Sequence, residues 1–122
     1  MDFNEHTGLN ILGFRAGRFV IELEVGAQHH NRYGTVHAGV LFTMLDTAMS
    51  RAFFDTLPVE QNAGVTLEMK INYLKTTVSG QLTAYGVLVN TTRRTAFVEG
   101  HIKNESGDLV AKATATMMRV DL

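Results

Sequence analysis

Asp46 stands in the middle of "NRYGTVHAGVLFTMLDTAMSRAF", Asn31 to Phe53, the longest helix-like run of the chain. At 100° per residue Thr43, Thr47 and Ser50 gather on its side of the helix, with no Lys or Glu among them. Exposed helix faces usually carry long, helix-favouring residues, whereas short hydroxyl side chains suit close approach by another surface. A carboxylate so placed is partly desolvated, which raises its pKa unless donors hold the charged form. Thr43, Thr47 and Ser50 are the expected donors, as neighbours three and four positions apart. Such an acid can act as general base or nucleophile. On these grounds alone a solvated acid and a reactive one stand level.

The loop "GTVHAG" runs into the start of that helix. The first N–H groups of a helix lack internal acceptors and, with the dipole, suit a developing oxyanion or a polarised carbonyl. Ala38 and Gly39 carry little side chain, so a substrate can approach them closely. An ordinary helix start with small residues for tight packing reads equally well here.

Other chemistry is less well supported. His29, His30 and His37 lack the i, i+4 spacing of a helical zinc pair, and no carboxylate lies at ligand spacing beside them, so no metal is expected. Without cysteine there are no disulfides, thiolate catalysis or sulfur-ligated metals. Arg93 and Arg94 in "TTRRT" could meet phosphates as charge-assisted donors, or be solvated turn residues. A net charge of −1, with basic residues dispersed among acids, excludes a nucleic-acid or anionic-membrane face. "MDFNEHTGLN" has no apolar signal segment and no run could cross a bilayer, so a cytoplasmic protein is the default expectation.

The positioning elements follow from periodicity. At 122 residues and 45% apolar content the chain reads as one domain, 1–122, with a real core. "GFRAGRFVIELEV", Gly13 to Val25, reads as a half-buried strand with Phe19, Ile21, Leu23 and Val25 on one face. From about His37 to Phe54, Leu41, Leu45, Ala48 and Ala52 recur at helical spacing. "GVTLEMKINYL" alternates, with Val65, Leu67, Met69, Ile71 and Tyr73 opposite Thr66, Glu68, Lys70 and Asn72. "GQLTAYGVLVN", "TAFVEGHIKN" and "DLVAKATATMMRV" are further strands, divided by the turns "TTRR" and "ESGD". The order β-α-β-β-β-β predicts an α+β fold, a largely antiparallel sheet of about five strands wrapped on one central helix.

The pattern N-x-x-G-x-x-H-A-G-x-x-x-x-x-x-D, Asn31, Gly34, His37, Ala38, Gly39 and Asp46, resembles the signature of hotdog-fold acyl-CoA thioesterases of the PaaI-like type. These are related to phenylacetate-degradation and 4-hydroxybenzoyl-CoA thioesterases. "VTLEMKINYL" and "GDLVAKATATM" resemble the family's second strand and last hairpin, extending the likeness from about Gly13 onward. The resemblance implies hydrolysis of an aryl- or medium-chain acyl-CoA, with no cofactor beyond the coenzyme A of the substrate. It implies Asp46 as nucleophile or general base and the Ala38 N–H, beside Gly39, as donor to the thioester carbonyl. Asn31 would orient water or leaving group, Thr66 would help hold the water, and His37 and Gly34 would brace the substrate loop. It also implies a homodimer or homotetramer with sites between subunits. Ala38 stands where the family usually has glycine; its methyl narrows the approach and disfavours a positive φ. The alternative is a non-catalytic acyl-CoA-binding hotdog module, since fold alone does not settle function.

Overall fold

The computed structural model describes residues 1–121. In chain order they form α1 (Phe3–Thr7), β1 (Asn10–Arg15), β2 (Arg18–Glu24), α2 (Ala38–Phe54), β3 (Gly64–Tyr73), β4 (Gln81–Thr91), β5 (Thr95–Lys103) and β6 (Leu109–Arg119). The strands make one sheet in the order β1-β2-β4-β5-β6-β3, antiparallel at every junction. This is the hotdog arrangement, with α2 packed across the sheet's concave face.

α2 lies against the sheet because its apolar residues meet small ones. Leu41, Met44, Leu45, Ala48, Met49 and Ala52 are buried against Ala84, Ala96, Val98, Ala113 and Ala115 of the strands. At Gly86 of β4 backbone meets backbone: a Cβ there would lie 2.2 Å from the Ala48 carbonyl oxygen. The helix begins at His37, whose ring Nδ1 accepts from the Gly39 N–H at 2.8 Å, and ends before Pro58. One stripe stays open: Phe42 is exposed, and Thr43, Asp46 and Ser50 are half-buried.

Three features differ from the sequence reading. The segment from Gly13 to Val25 is a hairpin rather than one strand, so the sheet has six strands. It turns at Ala16 and Gly17, both at positive φ (52° and 78°), the conformation two-residue hairpins prefer. Ala16 lacks the Asn or Gly that marks such a turn, and the flanking alternation hides it. Secondly, "MDFNEHTGLN" contains α1, capped by Asp2, which accepts from the Glu5 N–H at 2.8 Å, and stopped by Gly8 at φ 89°.

The third difference is a β-bulge in β3. Thr66 stands opposite Met117 and Glu68 opposite Thr116, with Leu67 unpaired between them. The extra residue changes the phase of the alternation. Thr66 therefore shares the helix-facing side with Met69 and Ile71, while Val65 and Leu67 are exposed at the sheet's edge.

Candidate active site

Asp46 sits on the third turn of α2, beneath the bulge of β3. The Thr66 hydroxyl donates to its Oδ1 at 2.6 Å, and the same hydroxyl lies 3.2 Å from Met117 Sδ. Among the described residues nothing bonds Oδ2. The expected donors on α2 are committed elsewhere. Thr43 donates to the Gly39 carbonyl (2.8 Å), Ser50 to the Thr47 carbonyl (3.2 Å) and Thr47 to Asn4 Oδ1 (3.3 Å). Helical Ser and Thr commonly turn back to the carbonyl three or four residues earlier. Thr43, Thr47 and Ser50 thus do not hold the carboxylate; a strand does.

The start of α2 forms a second centre. The Gly39 N–H is taken by His37 Nδ1 and the Val40 N–H by the His37 carbonyl, whereas among the described residues the Ala38 N–H meets no acceptor. Ala38 has a helical backbone rather than a positive φ, so its methyl imposes no strain. Asn31 stiffens the preceding loop: Oδ1 accepts from the N–H groups of Tyr33 (2.9 Å) and Thr35 (3.2 Å), and Nδ2 donates to Thr35 Oγ1 (2.8 Å). Gly34, at φ 80°, lets that loop turn. Asn31 and Ala38 line one cleft of about 290 Å³ with Leu41, Tyr73 and Leu74. Burial raises the Tyr73 phenol above its ordinary pKa.

The two centres are separate within one chain. Ala38 and Asp46 are eight residues apart on α2, about 12 Å at the helical rise. Asp46 opens instead into two clefts of its own. One, about 500 Å³, is lined by Phe54, Gly64, Val65, Thr66 and Val120; the other, about 560 Å³, by Phe3, Phe42, Thr43, Thr47 and Arg51.

The sequence profile of the Thioesterase superfamily matches residues 33–111. The chain belongs to this superfamily. The thioesterase is 33% identical to a mutant of the phenylacetic acid degradation protein PaaI from Thermus thermophilus, covering 97% of this chain and 98% of that one with a TM-score of 0.85. It is 29% identical over 104 residues to acyl-coenzyme A thioesterase 13 of Mus musculus, covering 81% of this chain and 71% of the mouse protein. With 1,4-dihydroxy-2-naphthoyl-CoA hydrolase of Listeria monocytogenes it shares 25% identity over 117 residues, 96% of this chain and 94% of that one.

Arg93 and Arg94 are exposed in the β4–β5 turn. Arg94 pairs with Asp121 at 3.2 Å, as does Arg119 at 3.0 Å, next to Val120 of the Asp46 cleft. The histidines are structural fastenings. Buried His29 accepts from the Gly26 N–H at Nδ1 (2.9 Å) and donates from Nε2 to the Thr7 carbonyl (2.6 Å), and His30 Nε2 donates to the Val78 carbonyl (2.7 Å). Among the described residues no three His, Cys, Asp or Glu side chains converge on a point that could hold a metal ion. No helix of the described residues is long and apolar enough to cross a membrane. Sequence reasoning missed Asn4, which ties α1 to the helix bearing Asp46; the Asp2 and Gly8 caps were the signal for α1.

Proposed function

We propose that this thioesterase hydrolyses acyl-CoA thioesters to the free acid and coenzyme A, with Asp46 at the reacting carbon. The observation that carries the reading is a helix-borne carboxylate, on a residue that lines a cleft, with one oxygen fixed by Thr66 and the other unbonded. The unbonded oxygen either attacks the thioester carbonyl carbon or takes a proton from the water that does. The Ala38 N–H, without an acceptor, donates to the carbonyl oxygen as it gains charge. The C–S bond then breaks, and coenzyme A leaves as the thiol after gaining a proton; where Asp46 itself attacked, water next opens the mixed anhydride, releasing the free acid and restoring the carboxylate. Asn31 supports this centre by holding its loop, and His37 by capping the helix. Arg93 and Arg94, with Arg119 beside them, supply the positive charge for the phosphates of coenzyme A.

The 12 Å between Ala38 and Asp46 supports a site shared by two copies of the chain, Asp46 of one facing Ala38 and Asn31 of the other. The edge strand β3, with Val65, Leu67 and Tyr73 exposed along it, is the surface by which two sheets can join in a homodimer, itself able to pair into a tetramer.

Thiol release over a panel of acyl- and aryl-CoA esters tests the reading. Replacement of Asp46 by Ala should lower kcat/KM by at least ~10²-fold on the best substrate. Parent-like turnover by Asp46→Ala would refute the assignment. Tight binding of CoA esters with no thiol released by the parent would make the protein a binding module instead.

A further inference from the structure

We propose that Phe3, on the short N-terminal helix α1, forms a wall of the acyl subsite and selects for apolar acyl groups. The inference rests on the thioesterase reading of Asp46 and adds the subsite's position and chemistry. Asp46 lines two clefts, and their characters differ. The cleft beside Thr66 and Val120 adjoins Arg94 and Arg119, which share a single acid, Asp121, and so keep a net positive charge that suits the phosphate end of the substrate. The cleft beneath α1 brings Phe3 and Phe42 from separate elements to the same carboxylate, with Phe3 66% and Phe42 41% exposed.

That second cleft has polar residues in its lining, but most of them are already committed. Its hydroxyls have no free proton to offer: Thr43 donates to Gly39, Thr47 to Asn4 and Ser50 to Thr47. Its one cation, Arg51, is held by Asp55 at 2.8 Å and lies over the Phe19 ring. Beyond Asp46 and the Asn4 amide, what a ligand meets is two phenyl faces and threonine methyls, which favour an uncharged alkyl or aryl tail.

Phe3 is held in position rather than merely near. Asn4 accepts from Thr47 of α2, and the Thr7 carbonyl accepts from buried His29, so both ends of α1 are fastened to the body. The Phe3 ring has little part in that fastening, being exposed, so its removal leaves α1 in place.

The test uses octyl-CoA, an uncleavable thioether, and coenzyme A itself, with binding measured by calorimetry for the parent, Phe3→Ala and Phe3→Leu. The ratio of octyl-CoA to coenzyme A affinity should fall roughly tenfold in Phe3→Ala and largely recover in Phe3→Leu. The ratio of kcat/KM for octanoyl-CoA over acetyl-CoA should move in parallel. A binding ratio unchanged by Phe3→Ala, or an equal loss for both ligands, overturns the subsite. Because binding is read without turnover, a parent that fails to hydrolyse thioesters would sink the catalytic reading alone. The subsite would then still stand on the octyl-CoA ratio.

Discussion

The Thr66 hydroxyl donates to Asp46 Oδ1 at 2.6 Å, joining the sheet's edge strand to the middle of the central helix. A hydrogen bond to a charged group contributes about 1.5–3 kcal/mol. Thr66→Val should therefore lower kcat by roughly tenfold or more, with little change in KM, and Thr66→Ser should keep most of the rate. Steady-state kinetics on one CoA ester separates these outcomes; a Val variant as fast as the parent would show that the bond does not serve the reaction.

The role of the unbonded Asp46 oxygen is decided by a single turnover in heavy-oxygen water with enzyme in excess. Direct attack forms a mixed anhydride, and water that opens it at the Asp46 carbonyl leaves the heavy isotope in the Asp46 carboxylate, visible in the mass of its peptide. General-base catalysis sends the isotope to the released acid and leaves Asp46 unlabelled. It also gives no hydroxamate on Asp46 when hydroxylamine is added during turnover, whereas an anhydride is trapped as one.

Gly86→Ala should destabilise the fold by about 1–3 kcal/mol, because the new methyl would lie 2.2 Å from the Ala48 carbonyl oxygen, a backbone atom of α2. Urea unfolding of variant and parent measures the loss. An unchanged midpoint would mean that helix and sheet are less closely packed than described.

His29→Ala should cost about 1–3 kcal/mol by leaving the Gly26 N–H and the Thr7 carbonyl without their partner. It should also loosen α1, seen as faster amide exchange over Phe3–Thr7 than in the parent. Equal exchange in both proteins would show that α1 is held without the imidazole.

His101 stacks on Tyr85 with ring centroids 4.8 Å apart. Burial, and then the charges of Lys112, Lys103 and Arg18, hold its imidazole below the ordinary value of 6.5. As pH falls through about 6.5 the unfolded chain takes up this proton and the folded chain resists it. Stability should therefore decline as the pH drops through that value, and level off once the folded imidazole also protonates. His101→Gln should flatten this part of the profile, measured as urea midpoints between about pH 7.5 and 5.5. An identical slope in the variant would assign the loss to other groups.

The helix was legible because apolar spacing and the small "HAG" start leave little choice, and the motif from Asn31 to Asp46 lies within one contiguous stretch. The strands β4 to β6 were legible because their alternation is unbroken and strong turns separate them. The Asp46–Thr66 contact was not derivable from periodicity. It depends on one unpaired residue, Leu67, and an alternating sequence gives no sign of where a strand takes up an extra residue. The expected donors Thr43 and Ser50 lost to a local competitor, the carbonyls of their own helix. The first hairpin was concealed by Ala16, a residue that seldom adopts the backbone it holds here.

The eight-position separation of Ala38 and Asp46 also bears on inheritance. In the proposed dimer, a chain lacking Asp46 and a chain lacking the Asn31 side chain are each inactive alone. Mixed at equal amounts, half of the dimers are hybrids, and each hybrid holds one site with both lesions and one with neither. About a quarter of parental activity should return, the ceiling for a two-fold dimer whose sites draw on both chains. Two defective alleles of this gene would then complement one another within a single cell.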